Sequence, residues 1–387
     1  MSAATAAAPP RRRIMHLIES AGIYGAESVI LNLSREMQAD GRFVPVVGCI
    51  VQKADEHTDL VDVAATYGIE AHRIRISNKL VPFDLLLAAK RLRALRIDAI
   101  HCHGYKPGVF AYLIGKLTGI EVVATCHLWF MDSYAPWKMR VMISIEKRLY
   151  SRYKAVVAVS DQIQRILLEN GVRPERTRVI KNGIVLADYE SERHSEAPRD
   201  SIRVLNVARL AEQKAQTDLI AAAGVLASRK VNTEILIVGE GELRPALEKQ
   251  IADQGSGSSV RLLGFRDDVR KLLSDSDIFV LASLDEGMPI SLLEAVASRV
   301  PVIVTPVGDI PKLISDGESG IVVEPKEPAM LAAAIQRLAM DAQLRRTLAE
   351  RAWHRLQQTF SSRQMFEGYA EVYEGLLRNR PAGPLAS

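Results

Sequence analysis

Two acidic and two basic residues in the second half of the chain have types and spacings that could do chemistry. Glu286 and Glu294 lie eight positions apart in the segment 283–294, SLDEGMPISLLE, which follows an apolar run and opens a helical pattern. Two carboxylates aimed at one ligand suit a molecule rich in hydroxyls, such as a sugar or a ribose. Pro289 fits a first helical turn, where its missing N–H costs nothing. The free N–H groups of Met288, Ile290 and Ser291 would then face a ligand, since a helix start is a ready anion site. Arg209 and Lys214 sit five positions apart, directly after the apolar run 203–207. A planar guanidinium and a compact ammonium on one loop suit a diphosphate. Gly239 and Gly241 follow the next apolar run, and Gly264, Phe265 and Arg266 the one after. Glycine at a strand end lets backbone approach a ligand closely. In the first half, Gly22 and Gly25 form a similar loop ahead of a helical pattern, and His101, His103 and His127 lie at the ends of strand-like runs.

The elements that must hold these residues follow from periodicity. Short apolar runs at 14–18, 43–51, 99–101, 121–125 and 155–159 alternate with helical patterns at 26–39, 83–95 and 108–117. The stretch 187–201 is polar and without period, which reads as a linker. The alternation then restarts, with strands expected at 203–207, 234–238, 260–263, 278–281 and 302–304 and helices at 216–228, 243–252 and 289–297. Beyond 328 the pattern is helical almost to 378, with a break near 359–362. Such alternation predicts parallel sheets covered on both faces. The expected fold class is α/β, as two facing doubly wound, Rossmann-like domains with a cleft between them. The expected divisions are a disordered tail over 1–12, a first domain over 13–190 and a second over 191–360. The segment 361–387 is expected to hold a terminal helix and then a tail. Ligands of such sheets bind beyond the carboxyl ends of the strands.

Composition narrows the function. The 387 residues are 48% hydrophobic and 25% charged, ample for two cores. A net charge of +4 with 5% aromatics does not make the basic, stacking surface that nucleic acid needs. Three cysteines are no disulfide framework and fit a reducing compartment. No apolar run is long enough for a membrane span. The expected location is therefore the cytoplasm or the cytoplasmic face of a membrane.

With these residues in view, the chain resembles the family-4 glycosyltransferases, which have the GT-B architecture. Glu286 and Glu294 form their E-x7-E pattern, and Arg209 with Lys214 matches their R-x4-K loop. Gly239 to Arg244, Pro306 to Pro311, Asn182 to Ile184 and Gly25 to Glu27 are similar to further family segments, in the same order. Three positions depart from the pattern: Ala208 stands before the arginine, Val185 replaces an aspartate, and Val307 replaces a glycine.

The resemblance implies that the terminal helix within 361–387 crosses back to the first domain, and it implies roles. Arg209 and Lys214 would hold the diphosphate of a nucleotide-sugar donor, and Glu294 would bind its ribose. Glu286 would contact the donor sugar, helped by the backbone of Met288, Pro289 and Ile290. Gly25, Gly239 and Gly241 would approach the donor, with Phe265 and Arg266 beside the base. His127 resembles the family's active-site histidine facing the sugar, and His103 would line the acceptor side. The implied reaction is hexosyl transfer with retention to a lipid-linked or saccharide hydroxyl, in surface polysaccharide or lipopolysaccharide assembly, which would make the membrane the inner membrane. It would need no metal and no cofactor. Alternatives are a nucleotide-sugar 2-epimerase of the same layout and a non-catalytic nucleotide-sugar-binding subunit.

Other readings of these residues are weaker. A glycosidase would also use two carboxylates, but the phosphate-type loops argue against it. His101, Cys102 and His103 with Cys126 and His127 look metal-like, yet on a strand the two outer histidines face away from Cys102. Asp275 and Asp277 match a metal-binding D-x-D but fall at a helix-to-strand turn. The loop at Gly22 lacks dinucleotide spacing. Residues 129–148 are aromatic, apolar and basic, a pattern that predicts either a core-facing helix or docking on an anionic membrane.

Overall fold

The computed structural model describes residues 11–20, 22–53, 55–77, 81–127, 144–145, 147–189 and 200–378. The chain divides into two units, Met1–Lys181 with Ser362–Ser387 and Asn182–Ser361.

In the first unit the strands are β1 (Arg12–Ile18), β2 (Phe43–Val51), β3 (Glu70–Arg75), β4 (Ala99–His103), β5 (Glu121–Cys126), β6 (Ala155–Ala158) and β7 (Thr177–Val179). Helices α1 (Gly25–Asp40), α2 (Asp59–Thr66), α3 (Val81–Ala94), α4 (Tyr105–Thr118) and α5 (Asp161–Glu169) lie between them. The sheet order is β3-β2-β1-β4-β5-β6-β7, all parallel. The central strands are apolar and buried on both faces, as β2 illustrates with every residue but Val44 buried. One face carries Met15, Leu17, Ile100 and Cys102 into a core with Phe110, Ile114 and Leu85. The other carries Ile18 and Val47 against Ile30 and Leu31 of α1.

The second unit runs β8 (Ile202–Val207), α6 (Gln216–Ser228), β9 (Thr233–Val238), α7 (Arg244–Asp253), β10 (Val260–Gly264), α8 (Val269–Ser274) and β11 (Ile278–Leu281). It continues with α9 (Ile290–Ala297), β12 (Val302–Val304), α10 (Ile310–Leu313), β13 (Ile321–Val322), α11 (Pro328–Met340) and α12 (Ala342–Thr359). Its parallel sheet has the order β10-β9-β8-β11-β12-β13. In each sheet the order reverses once, between β1 and β4 and between β8 and β11. Ligands of open α/β sheets bind at such switch points.

The last helix, α13 (Ser362–Leu377), belongs to the first unit. Phe366, Tyr369, Ala370 and Tyr373 are fully buried and share one helical face. Two of them meet histidine chemistry in the sheet. The Tyr373 hydroxyl lies 2.7 Å from His101 Nδ1, and Thr125 Oγ1 lies 2.7 Å from His101 Nε2. The Tyr369 hydroxyl lies 3.0 Å from Thr125 Oγ1.

Several boundaries differ from expectation. Strand β1 takes in Arg12, whose guanidinium bonds Asp98 at 3.1 Å, so the tail does not reach residue 12. The first division falls at Lys181, not at 190, because Asn182, Ile184 and Tyr189 are tied into the second unit. Strands β3, β7 and β13 have no counterpart in the expected set. β3 (EAHRIR) is an edge strand with only Ile74 buried, and an edge strand needs no apolar run. Most of the aromatic, basic stretch 129–148 lies outside the described residues.

Replacing Tyr373 by Phe removes the hydroxyl at His101 Nδ1 and leaves that nitrogen buried without its partner. Stability should fall by about 1–3 kcal/mol in chemical denaturation. An unchanged midpoint would show that the hydroxyl does not anchor α13.

Candidate functional site

The second unit assembles its polar residues on the loops after β8 and β11, the neighbours at its switch point. Lys214 Nζ lies 2.5 Å from Glu286 Oε1, with side-chain exposures of 15% and 6%. Ser283 Oγ donates to the same Oε1 at 2.8 Å. The backbone joins the two loops as well, since Leu284 N–H donates to the Gln213 carbonyl at 2.8 Å. Lys214 ends a single 3-10 turn, Glu212–Lys214, after which Ala215 takes a left-handed φ of 46°. Glu286 is thus a carboxylate held by an ammonium and a hydroxyl. Asp285 beside it is pushed above its ordinary pKa, first by burial and then by the charge of Glu286.

Glycines pack the loops together. A Cβ on Gly239 would lie 2.0 Å from the Ala208 carbonyl oxygen, and one on Gly241 would lie 2.2 Å from that of Leu210. Leu210 N–H donates to the Glu240 carbonyl at 3.0 Å across this contact. These glycines therefore let the β9 loop lie directly on the backbone around Arg209, a reason the sequence did not suggest. Gly308, with a φ of 57°, does the same for the β11 loop, since its Cβ would lie 2.0 Å from the Glu286 carbonyl oxygen. Asp309 N–H donates to the Gly287 carbonyl at 2.9 Å.

Helix α9 begins at Ile290, and Pro289 caps it in extended conformation. The proline stands just before the first helical turn and not inside it as expected. The Met288 carbonyl accepts from Asn182 Nδ2 at 3.2 Å. Met288, Pro289 and Ile290 are buried. Glu294 lies on this helix, with its Oε1 3.4 Å from the Tyr189 hydroxyl. Burial raises Glu294 from 4.5 to about 7, against the lowering effects of the Tyr189 hydrogen bond and the Arg270 charge. Arg270 also bonds Asp188 at 3.2 Å and lies over the Tyr189 ring. Sequence reading missed Tyr189 and Arg270. The polar stretch from 187 gave no period, so only contact with Glu294 singles them out.

The remaining expected residues are placed as follows. Arg209 is exposed on the loop after β8. Phe265 is exposed, and Arg266 is exposed and paired with Asp268 at 2.6 Å. Asp277 Oδ2 accepts from the Arg203 N–H at 2.8 Å, so the D-x-D lies at a helix-to-strand turn. Gly25 lies in the first unit, as the first residue of α1, where the Tyr24 N–H is capped by Glu27 at 3.1 Å.

The first unit gathers histidines along the carboxyl-terminal parts of β1 and β4 and just beyond β5. His16, which the sequence reading passed over, is paired in register with His101. His103 Nδ1 lies 2.9 Å from His127 Nε2, and His103 Nε2 lies 3.2 Å from His16 Nδ1. Burial pushes His16 down to about 3 and His127 to about 4. His101 and His103 fall well below the ordinary value, again through burial first and then neighbouring histidines. Ligand atoms of His16, His101 and His103 lie within 4.8 Å of one another, a spacing a cation could use. Both nitrogens of His101 are, however, engaged by hydroxyls, and His16 and His103 bond each other. Hydrogen bonding accounts for the cluster. Cys102 faces the opposite core, as strand alternation requires.

Comparison with known proteins fits this geometry. Residues 188–355 match the family described as glycosyl transferases group 1, and residues 23–188 match glycosyltransferase family 4. Alpha-D-kanosaminyltransferase of Streptomyces kanamyceticus is 30% identical over 285 residues, covering 68% of this chain and 73% of that protein. UDP-Gal:alpha-D-GlcNAc-diphosphoundecaprenol alpha-1,3-galactosyltransferase of Escherichia coli is 27% identical over 62% of this chain and 66% of its own. Anabaena Alr3699/HepE, solved in complex with UDP-glucose, superposes with a TM-score of 0.82 at 21% identity, over 94% of this chain and 100% of that one. The two Rossmann-like units are those of the GT-B fold, and the chain belongs to the family-4 glycosyltransferases.

Proposed function

We propose that this glycosyltransferase takes a sugar from a nucleotide diphosphate-sugar and transfers it to a hydroxyl acceptor with retention of anomeric configuration. The observation that carries this reading is the Lys214–Glu286 pair, which joins the loops after β8 and β11 at the switch point of the second sheet. Lys214 and Arg209 would offset charge on the departing diphosphate. Glu286 would hold Lys214 and accept from donor-sugar hydroxyls. Its Oε1 already accepts from two donors, which suits a positioning anion better than a base. The acceptor proton would then pass to the donor phosphate in a front-side attack, without a metal. Glu294 would bind the ribose, and His127 a hydroxyl of the donor sugar. The relative solved with UDP-glucose and the one named for UDP-Gal support this donor class.

The acceptor is proposed to be a lipid-linked saccharide in surface polysaccharide or lipopolysaccharide assembly, supported by the diphosphoundecaprenol acceptor in the name of the Escherichia coli relative. Among the described residues no helix is long and apolar enough to cross a membrane. Peripheral docking on a cytoplasmic membrane face is supported by an exposed stripe on α3, Phe83, Leu86 and Leu87, continued by Lys90. Leu113 and Leu117 are exposed on α4, with Lys116 between them. Apolar side chains fringed by lysine suit an anionic interface.

A thermal-shift series with UDP, GDP and ADP and their glucose conjugates tests the donor reading; one base should stabilise the protein with or without chelator. No shift with any of them would count against it. Arg209→Ala or Lys214→Ala should lower kcat/KM by roughly 10²-fold. Arg209 is exposed, so its variant should keep the wild-type melting temperature. Lys214→Ala also leaves the buried Glu286 without its cation and should melt earlier. Near-wild-type kinetics in both would refute the phosphate assignment.

Glu294 gives a pH signature. Its carboxylate accepts ribose hydroxyls better than its acid, so the donor KM should fall as pH rises through about 7. In Glu294→Gln that dependence should vanish. The same raised pKa means the native state keeps a proton that the unfolded chain has released between 4.5 and about 7. Glu294 therefore contributes stability below that window that is lost as pH rises through it, and the Gln variant should flatten the loss. Liposomes containing anionic lipid should co-float with the wild type at low salt and lose Phe83→Ser/Leu87→Ser; equal flotation of both would exclude the α3 stripe.

A further inference from the structure

Three histidines of the first unit form a single hydrogen-bonded line. It runs from His127 Nε2 to His103 Nδ1 at 2.9 Å, and from His103 Nε2 to His16 Nδ1 at 3.2 Å. It ends at the sulfur of Met37 on α1, 3.4 Å from His16 Nε2. His16 and Met37 are fully buried, and His103 is 2% exposed.

A neutral imidazole carries one N–H and one lone pair, so a line of such rings can point either way. Only its ends can decide. A thioether sulfur has lone pairs and no hydrogen; it accepts and cannot donate. His16 must therefore carry its proton on Nε2, which makes its Nδ1 an acceptor. His103 then donates from Nε2 and accepts at Nδ1. His127 in turn donates from Nε2, and its Nδ1 is left as a lone pair with no partner among the described residues. Burial supports the neutral state of all three rings at ordinary pH. The adjacent His101 shows the contrast. Its partners are the hydroxyls of Tyr373 and Thr125, which can donate or accept, so nothing there sets a direction.

Building on the reading that His127 meets the donor sugar, we propose that His103 and His16, with Met37 as terminal acceptor, are positioning residues. They hold His127 as its Nε2–H tautomer, so that Nδ1 is a fixed acceptor for a sugar hydroxyl. The opposite tautomer would present an N–H there and meet a hydroxyl only through the oxygen lone pair. The line also fixes the plane of the His127 ring, because one nitrogen is tied to a buried partner. The selectivity that follows is for a sugar with a hydroxyl donor at that position, and against its deoxy or fluoro counterpart.

Long-range ¹H–¹⁵N correlation spectra of the full chain labelled at histidine nitrogen read each tautomer directly, with single-histidine substitutions for assignment. His16, His103 and His127 should all show the Nε2–H pattern in the ligand-free protein. An Nδ1–H pattern at His103 or His127 would overturn the proposal. Met37→Leu keeps the volume and removes the acceptor, and should convert His127 to a mixture; an unchanged spectrum would also overturn it.

Turnover of UDP-glucose supplies a second readout. His103→Leu should lower kcat about tenfold, while His103→Gln should stay within about threefold of wild type. The glutamine can accept from His127 and donate to His16, so it preserves the direction. Equal losses in the two variants, tracking a fall in melting temperature, would assign a purely structural role and overturn the proposal. Absence of turnover in the wild type would count against UDP-glucose as donor, whereas the tautomer spectra decide the positioning role without any substrate.

Discussion

Where a parallel strand ends inside a protein, its last polar side chains are beyond the reach of water and must find partners nearby. An unpaired polar atom there costs about 1–3 kcal/mol, a large fraction of a domain's stability. Both units meet this constraint at the ends of their central strands, with different chemistry. In the first, imidazoles bond one another, a thioether and hydroxyls. In the second, an ammonium meets a carboxylate and a serine hydroxyl. The placement of α13 follows from this need. Its tyrosines add apolar area to the first unit and also supply the hydroxyls that His101 and Thr125 require.

The backbone contributes equally to the second site. Loops after neighbouring parallel strands diverge unless something brings them together. Gly239, Gly241 and Gly308 allow carbonyl oxygens to come where any Cβ would collide. The loop of Arg209 and Lys214 is thereby held against the β9 loop, and that of Glu286 against the turn at Gly308. A ligand-binding loop fixed in this way loses little conformational freedom when its ligand arrives.

Much of this was legible in the residues. The alternation of apolar runs and helical periods marked two α/β units; Glu286, Arg209 and Lys214 fell on strand-end loops and Glu294 on the helix that follows, as their spacing suggested. Of the edge strands only β10 was legible: β3 carries Glu70, His72, Arg73 and Arg75 and looks like a loop until it is paired. Nor was the division at Lys181, because the polarity of the stretch after 187 outweighed the quieter signal of Asn182. His16 sits in an apolar run, where a single histidine reads as core; its pairing with His101 depends on a strand order that no local pattern encodes. Tyr189 was hidden for the same reason, since its contact with Glu294 spans 105 residues of chain.

The contrast between the two sites suits the proposed reaction. A diphosphate leaving group gains charge as its bond to the sugar breaks, and a fixed ammonium stabilises that change most when it needs no reorganisation. The carboxylate of Glu286 holds Lys214 in place, at the cost of opposing part of its field. Recognition of a sugar asks for the reverse. Its hydroxyls stay neutral throughout, and a charged partner would gain little selectivity while being expensive to bury. A neutral acceptor whose direction is set from behind provides geometry without net charge. In the proposed division of labour, the second unit's charged loops serve the group that changes charge. The first unit's neutral histidines serve the group that must only be oriented.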